Sequence, residues 1–193
     1  MAARVAPPVR SPPLGYDLPM ESHKRPDLEF DLWAWHTEGN FPKDQPPEQG
    51  YVHIGMFLAW LIERDMLNPR WVARAAVQPT IASMREAAVS PCALRDVTDG
   101  RLGGDMMTAD AAAFAGAYYA PQYGYTQDWR RVFGKAADKY AVPETWETYG
   151  RIAPVIDFRY AGWVKSGKPE LMDMPGLLGS LLKLWRSRRR SKP

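Results

Sequence analysis

A chain of 193 residues, 46% hydrophobic and 24% charged, is long enough for one domain with a buried core and short for two. It has no apolar run near the ~18 residues of a membrane span and no apolar stretch behind its N-terminal arginines to serve as a secretory signal, and its single cysteine, Cys92, rules out a disulfide framework or a Cys-based zinc cluster. The net charge of +3 belongs to the last eleven residues, where Lys183, Arg186, Arg188, Arg189, Arg190 and Lys192 stand without an acid; removing those six from the 25 bases leaves 19 against 22 acids, or −3.

Residues 1–26 hold six prolines and little apolar periodicity, which predicts an extended or disordered arm. "DLEFDLWAWH" then alternates Leu28, Phe30 and Leu32 with acids, the period of a strand, with His36 at its end. "GNFPKDQPPEQG" reads as a rigid loop, because each proline fixes its own φ and restricts the residue before it. From Tyr51 to Leu67 the pattern is helical and apolar nearly all round, so that helix is expected to be buried, with His53 in its first turn.

"PRWVARAAVQPTIASMREAAVS" predicts a short and a longer helix separated by Pro79. "CALRDVTDGRLGGD" is turn-rich, and Thr108 is the expected N-cap of a helix over "TADAAAFAGAYY". Another amphipathic helix or a pair of turns falls on "TQDWRRVFGKAADKY". The last core helix carries Trp146, Tyr149, Ala153, Ile156, Tyr160 and Trp163 as one stripe, with Pro154 opposite it. The expectation is a compact, mainly α domain with a minor β element (α+β) over 27–168, followed by a basic amphipathic tail over 169–193.

Few motifs carry chemistry. No G-x-S-x-G elbow, phosphate loop, dinucleotide fingerprint or H-E-x-x-H pair is present. "DVTDGRLGGD" puts Arg95, Val97 and Met106 where a calcium loop needs oxygen ligands, so it is a turn. Cys92 has no flanking base to favour its thiolate and reads as structural. His36 and His53 have no fixed metal spacing between them; convergence with a carboxylate such as Glu38 or Asp44 is the enzyme or metal alternative, while packing in a polar pocket under the Pro-rich loop is the plain one. No catalytic residue, metal or cofactor is assigned. In the tail, Leu177, Leu178, Leu181, Leu182 and Trp185 share one helical face beside Arg186 and Arg189. That face suits packing on the body, a partner groove or an anionic membrane surface; phosphate contacts with nucleic acid rank last.

The segment "WHTEGNFPKDQPPEQGYVHIGMFLAW" resembles the signature WHxxGxFPxDxPPExGxxHIGMFLAW of an uncharacterised family of small bacterial proteins, a domain of unknown function. The likeness extends through "DGRL", "AFAGAYY" and "ETWETYGRIAPVIDFRYAGW", roughly residues 28–165. It implies a compact bacterial cytoplasmic domain without an established activity. Small proteins of this style are similar to immunity proteins that block a cognate toxin. The leading expectation is accordingly a non-catalytic binding domain. Trp33, Trp35, His36, Glu38 and Asp44 would form a face covering a toxin's basic cleft, with aromatic anchors for affinity and acids for steering. The alternatives are a small-ligand or metal-binding enzyme using His36 and His53, and a membrane-peripheral subunit held by Leu178, Leu182, Trp185, Arg186 and Arg189.

Overall fold

A computed structural model describes residues 28–38, 41–120, 124–134, 140–170 and 172. The expected arm and the tail residues Leu178, Leu182, Trp185, Arg186 and Arg189 lie outside them. The fold is mainly α with a small two-stranded antiparallel sheet, as the sequence patterns imply.

Helix α2 (Val52–Glu63) is the axis of the domain, and every residue from Val52 to Ile62 is buried. A helix with so narrow a polar strip can form only where other elements cover it on all sides. Helix α7 (Trp146–Lys165) lies along α2, and α4 (Gln78–Arg85), α5 (Ala109–Tyr118) and α6 (Tyr125–Phe133) complete the shell. The aromatic stripe of α7 faces inward. Trp163, Ile156 and Ala153 are buried, Tyr149 and Trp146 are packed against the core, and Pro154 is exposed on the opposite side. Thr145 caps α7 by accepting the Thr148 N–H, and Thr108 caps α5 by accepting that of Ala111. One buried ion pair locks α6 to α7: Arg159 donates two hydrogen bonds to Asp128, at 2.7 and 2.9 Å, and Tyr118 and Arg131 donate two more.

The N-terminal side departs from the sequence expectation. Strand β1 is only Glu29–Leu32, and the chain turns at once into a five-residue helix α1 (Trp33–Thr37), so His36 sits on a helix and not at a strand end. Within β1 the apolar-in, acid-out alternation is broken. Glu29 pairs with Gly103 while Asp31 pairs with Leu102, its next neighbour on β2 (Arg101–Gly103), leaving Phe30 as the extra residue of a bulge. A bulge re-aims the side chains that follow it; Asp31 is the one β1 side chain that is buried. Pro79 lies in the first turn of α4, not in the gap before it; α3 (Pro69–Val72) is capped by Asn68. Among the described residues no helix is long and apolar enough to cross a membrane.

Candidate metal centre

Three short segments, all within residues 31–53, meet in one cluster. The bulged strand supplies Asp31, the short helix His36, and the first turn of α2 His53. Trp33 holds the junction together. Its N–H donates to the Gly100 carbonyl at 2.9 Å and its indole to the Pro47 carbonyl at 2.7 Å, tying α1 to the turn before β2 and to the 3-10 turn Pro47–Tyr51 that leads into α2. Gly100 has φ of +70°, where glycine is at ease, and a Cβ there would collide with Trp33.

His36 Nε2 stands 2.6 Å from Asp31 Oδ1, and His53 Nε2 stands 3.2 Å from Asp31 Oδ2. The two Nε2 atoms are 3.2 Å apart, with the rings edge to face. All three groups can offer one ligand atom within 4.8 Å of the others. Burial alone would raise the Asp31 carboxyl, but hydrogen bonding to His36 and His53, reinforced by their charge, holds it far below the usual carboxylate range.

A second layer surrounds these groups. Tyr119, at the C-terminal cap of α5, donates its hydroxyl to Asp31 Oδ2 at 2.6 Å, and the Leu32 N–H donates to Oδ1 at 2.9 Å. Burial first, and then the Asp31 charge, push the Tyr119 phenol well above its ordinary value, so it stays a donor. Tyr125 donates to the His53 carbonyl at 3.0 Å and stacks on Tyr119. Tyr140 places its hydroxyl 3.3 Å from His36 Nδ1, and Phe41 of the Pro-rich loop packs on the Tyr140 ring.

Two imidazoles and a carboxylate on one side of a point form the donor set of divalent first-row transition metals. The distances fit such an ion. Nitrogens 3.2 Å apart, each about 2.0–2.1 Å from a common ion, subtend about 100° at it, and the 2.6 Å pair about 80°. The first lies between the octahedral and tetrahedral angles, and the second about 10° below the octahedral one. The outer contacts are also of the kind that hold metal ligands, a hydroxyl on the far nitrogen of one histidine and another on the carboxylate.

The sequence singled out His36 and His53, and the fold brings them together. Glu38 and Asp44, its candidate carboxylates, are both exposed, and Asp31 takes the place envisaged for them. Trp33 is half-buried and engaged, whereas Trp35 is 53% exposed. Asp31, Tyr119 and Tyr140 escaped the sequence reading. Asp31 fell on the wrong face of an unbulged strand, and the tyrosines come from segments 88 and 104 residues away from the groups they touch.

No curated protein and no solved structure matches the chain. A family model does, over residues 29–142, a span holding every residue of the centre and of its second layer. The chain belongs to the family described as Domain of unknown function (DUF7832).

Proposed function

We propose that this domain binds one divalent first-row transition-metal ion through Asp31, His36 and His53, and that its activity is exercised at that ion. The observation that carries the reading is the 3.2 Å separation of the two Nε2 atoms, both turned to one buried carboxylate. Packing does not require this. Two neutral imidazoles that both donated to Asp31 would point their N–H groups into each other's space. One that donates and one that accepts satisfy each other by a hydrogen bond, and two that each present a lone pair need a shared cation. A metal answers the last arrangement and leaves the far nitrogens to outer partners such as Tyr140.

The test is metal titration of the full chain after chelator treatment, read by competition with a chromogenic chelator. One zinc or cobalt ion per chain is expected, with binding lost in His53→Ala and weakened in Asp31→Asn. Wild-type protein that takes up no ion above background, or an ion that His53→Ala leaves in place, overturns the reading.

A second reading rests on a different observation. Trp35, Glu38 and Asp44, which lie near His36 in sequence, are all exposed. An exposed tryptophan among acids suits a basic protein partner, as an immunity-type inhibitor would need. Capture of a basic toxin by wild-type protein but not by Trp35→Ala supports it, and equal capture by both removes Trp35 from the interface.

A further inference from the structure

We infer that Tyr119 is a positioning residue of the metal centre, fixing the Asp31 carboxylate at the orientation in which it joins His36 and His53 on one ion. The inference rests on the metal reading above.

Asp31 sits on a four-residue strand next to a bulge, a backbone with little rigidity of its own. Its carboxylate turns freely about χ2 unless both oxygens are held. The Leu32 N–H holds Oδ1, but it belongs to the adjoining residue and moves with the strand. Beyond the two histidines that would share the ion with it, Tyr119 is the contact from elsewhere. It reaches Oδ2 from the C-terminal cap of α5, an element anchored in the core. The phenol itself has no room to move. Its backbone N–H donates to Ala115 at 2.8 Å, and its ring is stacked on Tyr125 at 5.0 Å and packed on Phe57 at 4.8 Å, both fully buried. Tyr140 has the corresponding place on His36, but at 3.3 Å and from a residue that is only partly buried, so its effect is the smaller one.

Outer hydrogen bonds of this kind change metal affinity by about 10–100-fold when removed. Tyr119→Phe deletes one oxygen and keeps the ring. Tyr118→Phe is the control: it lies next in sequence, is equally buried, and loses a hydroxyl bonded to Asp128, outside the centre. Zinc dissociation constants of the full-length wild type and both variants are measured by chelator competition, alongside apo-protein melting temperatures.

The expected result is a loss of about 10–100-fold for Tyr119→Phe, with Tyr118→Phe lowering the melting temperature and leaving zinc affinity within about threefold of wild type. Wild-type protein without zinc binding overturns the metal reading itself. Wild-type binding with Tyr119→Phe equally tight overturns only the role of Tyr119, as does an equal loss of affinity in both variants. Should Tyr119→Phe not fold, a crystal structure of the zinc-loaded wild type decides: the Tyr119 hydroxyl on Asp31 supports the inference, and an Asp31 carboxylate turned away from it refutes it.

Discussion

Replacing Gly55 with alanine sets two local effects against each other, and the structure decides the sign. Gly55 lies inside α2, where alanine is favoured over glycine by about 1 kcal/mol. A Cβ at this position would meet Cys92 Sγ at 2.5 Å and the Cys92 Cα and Cβ at 3.0 Å. Carbon atoms in contact sit about 3.5–4.0 Å apart, so the backbone of the 91–95 turn must recede by about 0.5–1 Å. It resists that movement. Cys92 is buried, its N–H is bonded to Ser90 Oγ, and its carbonyl accepts from Arg95. Overpacking a tight core costs about 1–3 kcal/mol, which leaves Gly55→Ala less stable by up to about 2 kcal/mol after the propensity gain. For a domain of this size the upper end is a fall of about 4–8 °C in melting temperature, measured by circular dichroism. Adding Cys92→Ala removes the Sγ contact but not the Cα one, so the double variant recovers about 0.5–1 kcal/mol of the interaction and no more. A rise in melting temperature for Gly55→Ala alone would show that α2 and the turn are not in this contact, and the reasoning would fall.

Other consequences follow from the same structure. Arg159→Met strips the main partner from the buried Asp128, and loss of one member of a buried pair costs about 3–5 kcal/mol in chemical denaturation. Burial raises the Asp128 carboxyl, but hydrogen bonds and charge from Arg159, with help from Tyr118 and Arg131, bring it below the ordinary value. Its stabilisation is therefore complete above the unfolded value of about 3.9 and is lost as pH falls through the folded one. Denaturation curves from pH 6 down to pH 3 should show this acid loss in wild type and a smaller one in Arg159→Met; parallel curves would refute it. Thr145→Ala removes the α7 cap and should cost about 1 kcal/mol in the same assay. Trp35→Ala should leave the melting point unchanged to within about 0.5 kcal/mol of stability, since more than half of the side chain faces solvent.

Where the sequence was legible, one physical signal dominated its segment. Helix α2 could be read because an unbroken apolar run longer than a strand has no other stable form, and α7 because six aromatic and aliphatic positions recur at helical spacing. Thr108 could be read because its hydroxyl suits only a cap. Strand β1 was half legible. Its composition gave the strand, but one extra residue opposite β2 exchanged the faces and put an acid where the pattern put Phe30. The junction into α1 was not legible, because the helix has no capping side chain and is held by Trp33 bonds to Gly100 and Pro47, which lie 67 and 14 residues away.

The candidate centre lies where the fold is least regular. His53 needs no special arrangement: α2 is rigid, and its first turn emerges from the core at a fixed point. Asp31 and His36 have to be brought to that point from a short strand and a five-residue helix, neither stable alone. Each is fixed instead by a contact from a distant element: Trp33 clamped between two loops, Tyr119 reaching from α5, Tyr140 following α6. An ordinary polar pocket would tolerate looseness there, because water or a rotated imidazole can satisfy any one partner. Two nitrogens and an oxygen that meet within a few ångströms do not tolerate it. The concentration of long-range clamps on these two short elements is what the proposed metal centre would demand.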